Sequence, residues 1–318
     1  MKKTLILILA CMLLLVGLSA CATPTNNGND NNAGNENYGT EDQNNNGSET
    51  HTPDANDNQT PQNTFDDSRI IAVFTREDGS GTRDAFVSIT GVGTDMYVEA
   101  VVISETNEIL TKVEENDYAI SYVSVGSLSD RVKALSIDGV FPSNETIMDG
   151  TYKLQRPLLV CVNAEKEQYA LVQDFISFML SAQGQEISAT KWTKIDVNAP
   201  TYTSAGLSGT LKVGGSTSVD PLMQSLRQAY IALNPGVEIE ISGGGSGVGI
   251  TEAISGILDI GMSSRELRDN EKADLTGIDI ALDGVAVIVN PANPVAAMSI
   301  EQVKVIFTGE VTRWSDAG

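Results

Sequence analysis

The sequence predicts an α/β fold, on three observations. Short apolar runs rich in β-branched residues alternate with stretches of helical apolar spacing through most of the chain. Glycine- and serine-rich turns stand where one pattern gives way to the other, at residues 76–82, 214–218 and 243–249. The part with this alternation is about 250 residues long, enough for one large domain or two small ones, and strand–helix alternation over that length argues for α/β layers.

The chain opens on a targeting segment, residues 1–21. Lys2 and Lys3 are its basic start, an almost unbroken apolar run covers 5–18, and Leu18-Ser19-Ala20-Cys21 closes it with small residues before a cysteine. The run is short for a membrane span, which favours a cleaved signal peptide. The cysteine context resembles the bacterial lipoprotein lipobox. That resemblance implies that Cys21 becomes the lipidated first residue of the mature chain, an extracytoplasmic protein attached to the cell membrane. Residues 22–67 are rich in Asn, Asp, Gly and Thr and nearly free of apolar side chains. They cannot bury enough surface to offset chain entropy and read as a disordered tether.

Within 68–199, residues 70–74 read as a buried strand leading into the first glycine turn, and 82–89 as the helix after it. Residues 97–103 are strand-like, 105–115 have helical spacing, and 119–123, 132–135 and 158–162 read as strands. The clearest helix is expected over 168–189, with Leu171, Phe175, Phe178 and Met179 as its apolar stripe. Residues 200–208, mostly Ser, Thr, Gly, Pro and Ala, read as a linker. Within 209–318 a second α/β run follows: strands at 211–213, 237–241, 258–262 and 285–289, and helices at 221–233, 248–257 and 300–307.

Composition narrows the function. The formal net charge is −22 and the pI ≈ 4.2, with acids spread along the folded part, so nucleic acid is not an expected partner. The single histidine, His51, sits in the tether. Its position removes Ser-His-Asp and Cys-His catalysis and any histidine-based metal site from the domain. The sequence therefore speaks against most hydrolase chemistry, and no enzyme activity, cofactor or metal is expected. Cys11 lies in the signal segment and Cys21 at its end, which leaves Cys161, in the apolar run 158–162, as a buried small hydrophobe with no disulfide partner in the mature domain.

The glycine turns carry the positive signal. A turn of this kind before a helix presents backbone N–H groups and hydroxyls at the helix N-terminus, where an anion is favoured. Three of them in one domain suggest a single anion held from several sides. Taken singly, Ser80 and Ser246 also fit as N-caps, Arg76 as a surface ion-pair partner and 243–245 as a plain loop.

The motifs together resemble a known family. Gly215-Ser216-Thr217-Ser218-Val219-Asp220-Pro221, residues 243–249 and Asp259-Ile260-Gly261-Met262-Ser263-Ser264-Arg265 resemble the first half of the phosphate-binding proteins of bacterial ABC phosphate importers. Residues 283–290, 306–309 and Trp314-Ser315 continue it. Residues 76–82, 119–123, 137–140, Arg156-Pro157-Leu158 and 178–185 resemble that family's second half. Here the second half, in 68–199, precedes the first, in 209–318. A circular permutation with 200–208 joining the old ends accounts for this order. A piece of a longer tandem protein, or halves paired between two chains, are the other accounts of the same order.

The resemblance implies a type II-like periplasmic binding protein fold, two lobes closing on an oxyanion in the cleft between them. By motif, Thr217, Ser218, Ser246 and Ser264 would contact phosphate from one lobe, and Arg76, Ser80, Gly81 and Thr82 from the other. Family members carry an aspartate where this chain has Ser264, and a carboxylate acceptor welcomes a protonated oxyanion while repelling sulfate. Asp78 is the other candidate acceptor, or serves to orient Arg76. The implied function is a lipid-anchored protein delivering inorganic phosphate to an ABC permease. A phosphate sensor or surface-interaction protein is the alternative, and a phosphoester hydrolase is a distant third.

Overall fold

In the computed structural model, which describes residues 65–318, the strand–helix alternation builds two lobes on one nine-stranded sheet. The first lobe contains β1 (Ala72–Arg76), α1 (Gly81–Thr90), β2 (Val101–Ile103), α2 (Thr106–Glu114), β3 (Ala119–Ser124), β4 (Lys133–Ala134), β5 (Ser136–Ile137) and α3 (Asn144–Met148). The second contains β6 (Gln155–Asn163), α4 (Ala170–Met179), α5 (Ala182–Ser188), β7 (Gly209–Gly215), α6 (Asp220–Leu233), β8 (Val237–Ser242), α7 (Ser246–Ile254), β9 (Ile260–Ser263) and α8 (Asp269–Lys272). The long strand β10 (Leu275–Val289) then returns the chain to the first lobe, which β11 (Ala297–Met298) and α9 (Ile300–Phe307) complete. The signal segment, Cys21, His51 and the tether up to residue 64 lie outside the described residues.

The strand order is β2-β1-β3-β10-β6-β9-β7-β8, with β4 also on β10. β10 makes the sheet continuous across both lobes. Its first part pairs antiparallel with β6, down to Gly284 opposite Gln155. Its last part pairs antiparallel with β3, from Val285 opposite Ser124. Each lobe packs apolar residues on both faces of its part of the sheet, so its strands read as continuous apolar runs. Along β10, Val285, Val287 and Val289 join one core with Phe86, Tyr122 and Phe307, while Ala286 and Ile288 join another with Ile109 and Val113. In the second lobe Leu158, Val160 and Val162 face the core built on α4 and α6, and Leu159 and Cys161 face α7. Burial pushes the Cys161 thiol up to about 12, which keeps it an unreactive packing group.

An ion pair sits where the chain crosses between lobes. Arg156 donates from Nη2 and Nε to Asp283 Oδ2 at 2.9 and 3.2 Å, and Ser124 Oγ donates to Oδ1 at 2.9 Å. The Asp283 side chain is fully buried, and burial pushes its carboxyl up and the Arg156 guanidinium down, against their mutual attraction. The pair thus ties the end of β3, the start of β6 and the middle of β10 at one point.

Several expectations are corrected in detail. The helix expected over 168–189 is two helices. Ser181 adopts an extended conformation between them and its hydroxyl caps α5 through Gly184 N–H at 3.2 Å. In the expected stripe, Phe175, Phe178 and Met179 are buried, but Val172 replaces Leu171 as the fully buried residue of the first turn. The expected strand 285–289 is the last third of β10, whose earlier part carries the polar residues that hid it. Only Val101–Ile103 of the stretch 97–103 is strand. Residues 200–208 form no regular element before β7, yet they are pinned: Tyr202 packs edge-on against Phe178 at 5.2 Å, and its hydroxyl donates to Asp174 at 2.7 Å.

Candidate functional site

Four helix N-termini converge on the cleft: α1 and α2 from the first lobe, α6 and α7 from the second. Their first-turn N–H groups have no acceptor within the helix, and their dipoles put partial positive charge at the same place. The first lobe supplies most of its share from one continuous segment, with Ser104 and Thr106 added around the start of α2. β1 ends at Arg76, Glu77 to Ser80 make the turn, and α1 starts at Gly81. The second lobe assembles its share from three loops, each after a different strand: 216–218 after β7, 243–246 after β8, and Ser264 after β9.

Arg76 is the buried charge of the site, with 3% of its surface exposed. Its backbone N–H donates to Tyr122 Oη at 3.2 Å, and that phenol also bonds Thr75 Oγ1 at 2.7 Å. Tyr122 is itself held by stacking on Phe86 at 3.9 Å between ring centroids, so the end of β1 is rigid. The Arg76 guanidinium is held from both lobes. Nε and Nη2 pair with the Glu77 carboxylate at 2.9 and 3.0 Å, and Nη2 donates to the Ser104 carbonyl at 2.8 Å. Nη1 donates to Thr106 Oγ1 at 3.2 Å, and Nη2 reaches across the cleft to Thr217 Oγ1 at 3.1 Å.

Beside it lies a cluster of buried hydroxyls. Thr82 Oγ1 and Ser218 Oγ are 2.7 Å apart, one from each lobe. Ser264 Oγ accepts from Ser216 Oγ at 3.0 Å and lies 3.3 Å from Ser246 Oγ, while Ser264 N–H donates to Ser246 Oγ at 3.1 Å. Gly81 packs directly against this cluster. A Cβ at Gly81 would stand 2.4 Å from Ser246 Oγ and 2.7 Å from Ser264 Oγ, so only glycine allows the lobes this approach. Gly245, with φ 88°, turns the chain sharply before Ser246, and Gly247 N–H donates to the Gly79 carbonyl at 2.9 Å across the cleft.

The fold therefore brings Arg76, Gly81, Thr82, Thr217, Ser218, Ser246 and Ser264 to one place. Ser80 is beside them, but its hydroxyl accepts from Arg83 N–H at 3.4 Å as the N-cap of α1. Asp78 is not brought in. Its side chain is 96% exposed and pairs with Arg83 on the outside of the turn. The alternative role for Asp78, orienting Arg76, is filled by its neighbour Glu77, whose carboxylate pairs with the guanidinium. Sequence reasoning missed Glu77, Thr106 and Ser216. Ser216 sits inside a quoted motif and was within reach. Thr106 carried no signal, since only the fold shows that α2 starts at the cleft.

Among the hydroxyls and Arg76 there is one buried positive charge and no carboxylate other than that of Glu77, already paired. Such a set of short, fixed donors can replace the water shell of a small oxyanion, with charge-assisted bonds from a single arginine.

Comparison with known proteins places the chain in a family. A PBP superfamily domain matches residues 56–183 and 200–318. The phosphate-binding protein PstS 2 of Streptococcus pneumoniae is 44% identical over 256 residues, covering 78% of this chain and 87% of that protein. PstS 2 of Streptococcus agalactiae is 40% identical over 257 residues, 77% of this chain and 87% of its own length. The crystal structure of a phosphate-binding protein of a phosphate ABC transporter from S. pneumoniae superposes with a TM-score of 0.65 at 42% identity, covering 79% of this chain and all of that one.

Proposed function

The chain belongs to the PBP superfamily and within it to the PstS phosphate-binding proteins, and on that premise we propose that it captures inorganic phosphate outside the cytoplasm, anchored to the membrane by a lipid on Cys21, and delivers it to an ABC import permease. It is not an enzyme in this reading; it binds its ligand and releases it unchanged. The observation that carries the proposal is the junction of Arg76 with the hydroxyls of Thr82, Thr217, Ser218, Ser246 and Ser264 between the two lobes. Phosphate would take charge-assisted bonds from Arg76, hydroxyl bonds from both lobes, and N–H bonds from the starts of α1 and α7. With Ser264 at the position of the family's aspartate and Asp78 facing outward, the oxygen that carries a proton would donate to a serine hydroxyl. Rejection of sulfate is then weaker than a carboxylate would give.

The motif order fits a permuted arrangement of this fold. Residues at the two ends of the domain lie side by side: Ile71 N–H donates to Thr312 O at 2.9 Å and Ser315 N–H to Asp67 O at 2.7 Å. Permutation needs such neighbouring ends. The streptococcal relatives align with this chain over 87% of their own length. A rejoined chain, 209–318 followed by 68–199, is expected to fold and bind as the natural order does.

Calorimetric titration of the full-length chain with phosphate, then sulfate, at neutral pH and fixed salt tests the main reading. One phosphate per chain, bound tighter than sulfate, is the expected result. A folded chain that gives no heat with phosphate overturns it.

A further inference from the structure

We propose that Asp84 and Arg265, with Arg268 beside them, form a latch across the mouth of the cleft that sets how long the anion stays bound. This rests on the phosphate reading above for its biological sense, but its geometry is independent of it. Asp84 and Arg265 are positioning residues: neither is among the groups placed around the anion, and each is tied in sequence to one that is. Asp84 stands two residues after Thr82 in the first turn of α1, and Arg265 follows Ser264 directly.

Asp84 Oδ2 lies 2.9 Å from Arg265 Nε and 2.7 Å from Arg268 Nη2. Both contacts join the first lobe to the second. The second-lobe half is preset. Arg265 donates from Nη1 and Nη2 to the Glu271 carboxylate at 2.7 and 2.8 Å and from Nη1 to the Glu266 carbonyl at 2.8 Å, and Arg268 N–H donates to the same Glu271 carboxylate at 2.7 Å. With its fork thus committed, Arg265 turns only Nε toward the other lobe. That Nε has no aligned hydrogen bond, so its contact with Asp84 is one of charge.

The two contacts differ in shielding. The Arg265 side chain is 8% exposed, that of Arg268 61% and that of Asp84 25%. The Arg265 contact is therefore the one that survives salt, and the Arg268 contact is largely screened. With the lobes together Asp84 is paired with Arg265 and Arg268. The latch thus adds free energy to closure alone and raises affinity through the closed population, by slowing release.

The test compares the full-length chain with Asp84→Asn and Arg268→Gln. Its first readout is hydrogen exchange of the Gly247 amide, which bonds Gly79 O only when the lobes meet, measured without phosphate. Its second is phosphate dissociation by stopped flow at low and high salt. Asp84→Asn is expected to lower Gly247 protection and to speed release about three- to tenfold with association little changed, and Arg268→Gln to have less than about a twofold effect. The effect of Asp84→Asn on release is expected to persist at high salt. Unchanged Gly247 protection in Asp84→Asn overturns the latch, whatever the protein binds. Lost protection in that variant, with a wild-type chain that does not bind phosphate, supports the latch and overturns the phosphate reading instead.

Discussion

The two lobes meet the cleft with different chemistry. The first brings the buried charge, Arg76, on a segment that runs without interruption from β1 through a turn into α1. The second brings only neutral donors, the hydroxyls of Ser216, Thr217, Ser218, Ser246 and Ser264, gathered from three loops. One lobe supplies attraction and the other supplies fit. A charge that is paired, oriented and buried on one side can dominate affinity. Neutral hydroxyls on the other can each donate or accept, and so adapt to the ligand's protonation.

Removing the charge should break the comparison most completely. Arg76→Ala deletes the bonds to Thr106, Thr217 and the Ser104 carbonyl together with the site's buried positive charge. Truncating a buried charge in a binding site costs about 2–5 kcal/mol, and a loss near the lower end is roughly a thirtyfold weaker Kd. Titration of the folded variant with phosphate checks this. An affinity within threefold of wild type would mean that the neutral lobe carries the binding.

The fit side is tested next by Gly81→Ala. The added Cβ meets Ser246 Oγ at 2.4 Å, inside any real contact, and Ser246 Cβ at 3.1 Å leaves little room for that side chain to retreat. Overpacking of this kind costs about 1–3 kcal/mol, and here it falls on the closed state. Phosphate binding is expected to weaken about tenfold while Tm without ligand hardly moves. A large fall in Tm with unchanged affinity would show that Gly81 matters to folding instead.

The same contrast decides what could be read from the sequence. The first lobe's stretch from β1 to α1 is contiguous, so Arg76, Gly81 and Thr82 were legible as one motif. The second lobe's half was legible only through resemblance, because nothing local says that the ends of β7, β8 and β9 lie side by side. Thr106 was invisible for the same reason. The fold was legible where strands were apolar and helices amphipathic. It was not legible in the first part of β10, where Thr276, Asp279 and Asp283 interrupt the apolar run, nor at Ser181, where one capping hydroxyl divides a helix that periodicity alone would continue.

Stability offers a milder test of the lobe that carries no charge toward the ligand. Its own ion pair, Arg265 with Glu271, is nearly buried, and the Arg265 bonds hold the Glu271 carboxyl below its ordinary 4.5. A lowered carboxylate value stabilises the fold above the unfolded value and loses that contribution as pH falls through the folded one. Glu271→Gln should therefore cost about 1–2 kcal/mol at pH 7, a few degrees in Tm. The gap between the two melting curves should close as pH drops below 4.5, the ordinary value that Glu271 undercuts. A gap that persists in acid would assign the loss to packing rather than to charge.

The smallest expected effect sharpens the contrast furthest. Asp78 belongs to the charged lobe and to the motif around Arg76, yet its carboxylate points to solvent and pairs with Arg83. An exposed pair of this sort is worth about 0–1 kcal/mol and is screened by salt. Asp78→Asn should therefore leave phosphate affinity within about twofold and leave the phosphate-to-sulfate ratio where it was. Competition titration with both anions measures that ratio directly. If the variant begins to accept sulfate, Asp78 must turn inward when the ligand binds, and the charged lobe would supply selectivity as well as attraction. If the ratio holds, selectivity belongs to the hydroxyls of the neutral lobe, where one oxygen in the serine cluster must accept the proton that phosphate carries and sulfate lacks.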